Sequence, residues 1–145
     1  SKLRGDVDGS NPFNYVRLVQ PVLDRNCVDC HHKAKAVDLA GVIEGKNGWT
    51  RSYNNLAEKH GFYFHVSNGS INQGVHGGSR TIPGKFGARA SGLLKYMDEK
   101  HYGVKLSEAD YHRLVLWLDC NSEFYGSYEN TEAQARGLIV HATLD

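Results

Sequence analysis

The sequence predicts a mainly α-helical domain, and three observations predict it. Apolar residues recur at helical spacing in well-separated segments. Caps and breakers bound those segments, among them Asn11-Pro12, Gly103, Ser107, Asn121 and Gly126. Residues with strand character are confined to one short aromatic run, Gly61 to Val66, while a long Gly-rich insert divides the early helix from the late ones.

The chain divides into a flexible lead-in over 1–11, a helical domain over 12–126 and an extension over 127–145, packed on the domain or trailing from it. The lead-in is polar, with Gly and Asp. Asn11 is placed to cap a helix with Pro12 at its first position. Phe13, Val16, Leu18, Val19, Val22 and Leu23 follow at roughly helical spacing, and Pro21 should kink or restart the element. Lys33 to Gly48 reads as a loop. Trp49 to His60 reads as a short helix with Tyr53, Leu56 and Ala57 on one side. Asn68 to Gly87 carries glycines at 69, 74, 77, 78 and 84, and should be an ordered loop. Ala90 to Lys100 reads as a helix with Leu93, Leu94 and Met97 on one face. Ser107 caps the last helix, with Asp110 three residues on as a partial capping box, and Tyr111, Leu114, Val115 and Leu118 form its apolar stripe. In the extension, Leu138-Ile139-Val140 is the apolar anchor.

The stretch Cys27-Val28-Asp29-Cys30-His31 carries the chemistry. It is a C-x-x-C-H pentad, the attachment motif of a c-type haem. Two thiols at this spacing can each add across one vinyl group, and the His beside the second Cys then ligates the iron. A redox disulfide would sit in a βαβ unit, which the pattern lacks. A zinc site would need a second pair of ligands. The remaining cysteine, Cys120, stands alone and reads as a buried thiol. The expected cofactor is therefore one covalent haem c.

The totals bound the setting. The chain has 145 residues, enough for one core. Lys and Arg number 17 against 16 Asp and Glu, and no basic stripe suggests nucleic acid. No apolar run reaches the ~20 residues that span a bilayer. Covalent haem attachment implies export, to a periplasmic or extracellular site. The polar start at Ser1 reads as a processed form or a domain of a larger multidomain protein.

The order helix, haem motif, long irregular insert, helix, loop, helix is that of a class I cytochrome c. There the second axial ligand comes from the loop before the last helix. His101 occupies that loop, in Lys100-His101-Tyr102-Gly103-Val104-Lys105-Leu106. His112 and Met97 are the alternatives. His60, His65 and His76 lie in the insert with nothing to single one out, His32 adjoins the proximal His31, and His141 is in the tail.

Several segments carry a family resemblance. They are Pro21-Val22-Leu23 before the pentad, Gly78-Ser79-Arg80-Thr81-Ile82-Pro83-Gly84-Lys85-Phe86-Gly87-Ala88-Arg89-Ala90-Ser91, His101 to Ser107, Leu116-Trp117-Leu118-Asp119-Cys120-Asn121, and Phe124-Tyr125-Gly126. Together they resemble the monohaem cytochrome c domain of proteins related to the hydrazine synthase alpha subunit, over most of the chain from Phe13 onward. The resemblance implies bis-histidine ligation through His31 and His101. The catalytic haem of that family has a Tyr ligand four residues after the motif. Here that position is Lys35, which implies the electron-transfer type of haem. Similar domains attached to carbohydrate-binding modules imply a redox partner such as a copper polysaccharide monooxygenase.

Arg80, Lys85 and Arg89 are candidate clamps for haem propionates, since a guanidinium offers paired donors to a carboxylate. Trp49 is a candidate to pack on the porphyrin or donate its indole N–H, whereas Trp117 reads as core. Two functions are compatible with these residues: an electron carrier with two strong axial ligands, or a haem enzyme or gas- or peroxide-binding protein with an open or displaceable sixth position.

Overall fold

The computed structural model describes residues 11–59, 66–67, 70–71 and 87–143. The chain is mainly helical. Helix α1 spans Tyr15–Leu18 and α2 spans Gln20–Asn26, with Pro21 in the first turn of α2. Pro21 has no N–H to give and its ring excludes a continuous helix, so the element restarts there as expected. The cap is Asn14 rather than Asn11. Asn14 Oδ1 accepts from the Arg17 N–H at 3.1 Å, and its backbone is extended. The Pro at position 12 draws the eye to Asn11, but the side chain that meets a free helical N–H lies three residues on.

Helix α3, Val28–Lys33, follows directly, with Cys27 at the junction. The loop after it runs to an isolated bridge between Ile43 and Thr50. The next helix, α4, is shorter and later than the sequence suggests. It spans Arg51–Tyr53, capped by Thr50, and continues as a π-helical turn over Asn54–Lys59. Trp49 precedes it. Of the expected aromatic strand, Val66 lies among the described residues. It pairs antiparallel with Ile71, as Ser67 does with Ser70. The rest of that run and most of the Gly-rich insert lie outside the described residues.

The expected helix over Ala90–Lys100 is instead two 3-10 turns, Ala88–Ala90 and Gly92–Tyr96. Ser91 breaks the element, because its hydroxyl accepts from the Leu93 N–H and starts the second turn afresh. Asp98 then accepts from the Lys100 N–H and bends the chain away. Leu93 and Met97 are buried all the same.

Helix α5, Glu108–Asp119, begins as expected, with the Ser107 hydroxyl accepting from the Asp110 N–H. The Asp110 carboxylate does not return to the cap. It accepts from Arg25 Nη2 at 2.6 Å, Asn26 Nδ2 at 3.2 Å and Arg113 Nη1 at 2.9 Å. The buried face of α5 is Leu114, Trp117 and Leu118; Tyr111 is exposed. Cys120 closes the helix just beyond that face and is exposed, not buried.

Helix α1 meets α5 through aromatic edges. Tyr15 lies 5.2 Å from Trp117 and 5.1 Å from Tyr53, both edge-on, and stacks on Phe124 at 5.5 Å. Such pairs are worth about 0.5–1.5 kcal/mol each beyond the area they bury. The polar tips of Tyr15 and Trp117 have partners inside this core, whereas the buried Ser122 hydroxyl has none among the described residues. The Tyr15 hydroxyl donates to Ser52, Ser52 to Gln20 Oε1, and Gln20 Nε2 to the Leu39 carbonyl. The Trp117 indole donates to the Glu123 carbonyl.

A short helix, α6 (Thr131–Ala135), anchors the extension. Leu138 and Ile139 are exposed, so the expected apolar anchor is not the one used. The buried Gln134 is: its amide donates to the Ser127 and Glu129 carbonyls, its Oε1 accepts from the Gly126 N–H, and its own carbonyl accepts from Asn14. Gly126 lies so close to the Phe13 carbonyl that any Cβ would collide with it.

A candidate haem-ligand site

The pentad sits on one helical turn. The His31 N–H bonds the Cys27 carbonyl at 3.0 Å and the Ala34 N–H bonds that of Cys30 at 2.9 Å. Cys27 and Cys30 are three residues apart, one turn of helix, so both sulfurs project from neighbouring points of one face. Both are free thiols; Cys27 is half-buried against the core and Cys30 is exposed. Burial, with Cys30 adding to it, pushes the Cys27 thiol up to about 11, so it is protonated at neutral pH. Addition of such a thiol to a haem vinyl group would form an S–C bond at one carbon and place the hydrogen on the other, with nothing lost.

The chain then reverses to hold His31. The Lys35 N–H bonds the His32 carbonyl and the Ala36 N–H bonds the His31 carbonyl, while Lys35 adopts φ 51°. This is a Schellman stop with a non-glycine residue in the left-handed position. The reversal brings the Val37 carbonyl to 2.9 Å from His31 Nδ1. A carbonyl can only accept, so Nδ1 carries the proton and donates. In the neutral ring the lone pair is then on Nε2, the tautomer that metal-ligating histidines show when a carbonyl fixes the other nitrogen.

The His101 ring lies nearby. Its ring centroid is 6.0 Å from that of His31, with the two planes at 58°. Metal–imidazole bonds are about 2 Å long and a ring centroid lies about 1 Å beyond the nitrogen, so two imidazoles sharing one ion from opposite sides stand about 6 Å apart. In separation, the two rings fit two histidine ligands of one haem iron. The fold explains the approach. Arg25 and Asn26 at the end of α2 grip Asp110 in the first turn of α5, which fixes the start of α5 beside Cys27. The loop 101–107 leads into that turn. Within it, the His101 N–H bonds the Asp98 carbonyl, and Tyr102 and Gly103 both take positive φ, 50° and 78°.

The other candidate residues fall elsewhere. Met97 is buried in the core cluster, and His112 is half-buried on α5. Trp49 packs edge-on against Tyr53 at 5.1 Å and near Phe124 at 6.5 Å, within the aromatic core. Arg89 is exposed on the first 3-10 turn, while Arg80 and Lys85 lie outside the described residues. Sequence reasoning missed the Val37 carbonyl and the Asp110 cluster. A backbone acceptor leaves no trace in residue type, and an Asp three residues after a Ser cap reads first as a capping partner. Among the described residues, no group of three or more His, Cys, Asp or Glu side chains converges as a metal site. A porphyrin supplies four donors itself and asks at most two of the protein. Among the described residues, too, no helix is long and apolar enough to cross a membrane. Comparison of the chain with family models, with curated proteins and with solved structures finds no match.

Proposed function

We propose that this chain is a c-type cytochrome module that carries single electrons, with one covalent haem attached at Cys27 and Cys30 and ligated by His31 and His101. The observation that supports it is the pair of neighbouring imidazoles, their centroids 6.0 Å apart, one of them borne by the C-x-x-C-H turn itself. When bound, the haem supplies a one-electron iron centre whose potential follows from its ligands, hydrogen bonds and burial. The protein's own residues do the rest. Cys27 and Cys30 tether. Val37 fixes the His31 tautomer and makes that imidazole a stronger donor. The Asp110 cluster holds the His101 loop in reach.

With His31 and His101 both holding the iron, no position would remain for a substrate, which favours a carrier over an enzyme. Imidazole in place of a thioether also lowers the potential. Attachment chemistry of this kind belongs outside the cytoplasm, in the periplasm or beyond the cell, where a redox partner protein such as a copper polysaccharide monooxygenase would receive the electron.

The test is the visible spectrum of the haem-loaded protein and its response to carbon monoxide. The wild type is expected to be low-spin in both oxidation states and slow to bind carbon monoxide. His101→Ala should keep its haem, shift towards high-spin in the ferric state and bind carbon monoxide rapidly. A wild type that binds it rapidly and completely at neutral pH points to an open site and the enzyme or gas-binding reading. A His101→Ala protein that stays low-spin moves the ligand to His112 or Met97.

A further inference from the structure

We infer that Tyr96 is a positioning residue for His101, holding the plane of its ring relative to that of His31; this rests on the bis-histidine reading above. The two imidazoles are held by different means. His31 has a hydrogen bond to the Val37 carbonyl. Among the described residues the His101 ring has no hydrogen-bond partner. Its neighbours are aromatic edges: Tyr96 at 5.0 Å and 68°, and Tyr102 at 5.2 Å and 76°.

The two tyrosines are not equivalent. Tyr102 is 89% exposed at a loop tip with positive φ, and among the described residues no ring but His101 is packed against it. Tyr96 ends the second 3-10 turn between Leu93 and Met97, both buried, and is itself 39% exposed. Its backbone is therefore tied to the core. Lys95 Nζ lies 4.8 Å from its ring centroid and adds a cation–π contact. An edge-on ring on a fixed backbone opposes rotation of the imidazole about the axis on which its nitrogen points. That rotation sets the 58° between the ring planes, and the relative plane of two axial imidazoles governs the magnetic anisotropy of a low-spin ferric ion.

The experiment compares haem-loaded wild type, Tyr96→Phe, Tyr96→Leu and Tyr96→Ala by low-temperature electron paramagnetic resonance and by carbon monoxide binding to the ferrous state. Phe keeps the ring and should keep both signals. Leu and Ala should shift and broaden the largest g value. Both should also speed carbon monoxide binding on the order of fivefold, since a lost edge contact is worth about one such factor. Because Tyr96 is partly exposed, neither truncation opens a core cavity. Unchanged g values and rates in Leu and Ala overturn the inference while leaving bis-histidine ligation intact. A wild type that is high-spin, or a His101→Ala variant that stays low-spin, overturns both together.

Discussion

Asp110→Ala removes the carboxylate that ties the end of α2 to the start of α5. Its side chain is 8% exposed and receives Arg25 at 2.6 Å and Arg113 at 2.9 Å, with Asn26 as a third donor. Deleting one member of a buried charged cluster costs about 3–5 kcal/mol when the partner is left dry. Here Arg25 is 52% exposed and can return to water, which discounts its share. The expected loss is about 2–3 kcal/mol, or about 5–10 °C in melting temperature for a chain of this size. The pH dependence carries a sign. Burial pushes the Asp110 carboxyl up, but the hydrogen bonds from Arg25, Asn26 and Arg113 outweigh it and hold it below the ordinary carboxylate range. A carboxyl depressed in the folded state stabilises fully above its unfolded value of about 3.9, and the contribution fades as pH falls through the folded value. Thermal melts of wild type and variant should therefore differ by a constant amount from about pH 8 to 5 and converge below about pH 4. The same gap at pH 7 and at the acid end, or no gap at neutral pH, refutes the reasoning.

Two further outcomes are expected. Cys27→Ala and Cys30→Ala should each weaken covalent haem incorporation, and the double variant should abolish it; haem that survives acid–acetone extraction of the double variant contradicts the attachment reading. Lys35→Gly should stabilise the fold by about 0.5–1 kcal/mol, because a non-glycine residue pays a steric cost at φ 51°. A lower denaturation midpoint for Lys35→Gly would show that Lys35 contributes more through its side chain than its backbone loses.

What could be read in the sequence was whatever a residue type announces by itself. Ser107 announced the start of α5, Pro21 the restart at α2, and the leucines and Trp117 the buried face. What escaped depended on partners distant in the chain. Gln134 in a polar tail looks solvated, yet it is buried because backbone groups at Gly126, Ser127 and Glu129 saturate its amide. Leu93 and Met97 have helical spacing and are buried, but Ser91 and Asp98 compete for the backbone and leave a tighter 3-10 path. In the site, the pentad was legible as a pattern because its residues are adjacent. The nearness of the His101 ring to that of His31 was legible only as chain order. Its distance needed Asp110, whose role is set by an arginine 85 residues away.

The hydrogen bond from Asn14 to the Gln134 carbonyl has a topological consequence. It brings the entry to the first helix and the end of the last one to the same spot, although 120 residues separate them. The first helix therefore starts beside the last turn of α6. An amide pinned across 120 residues ties the opening and closing segments of the described fold into one cooperative unit.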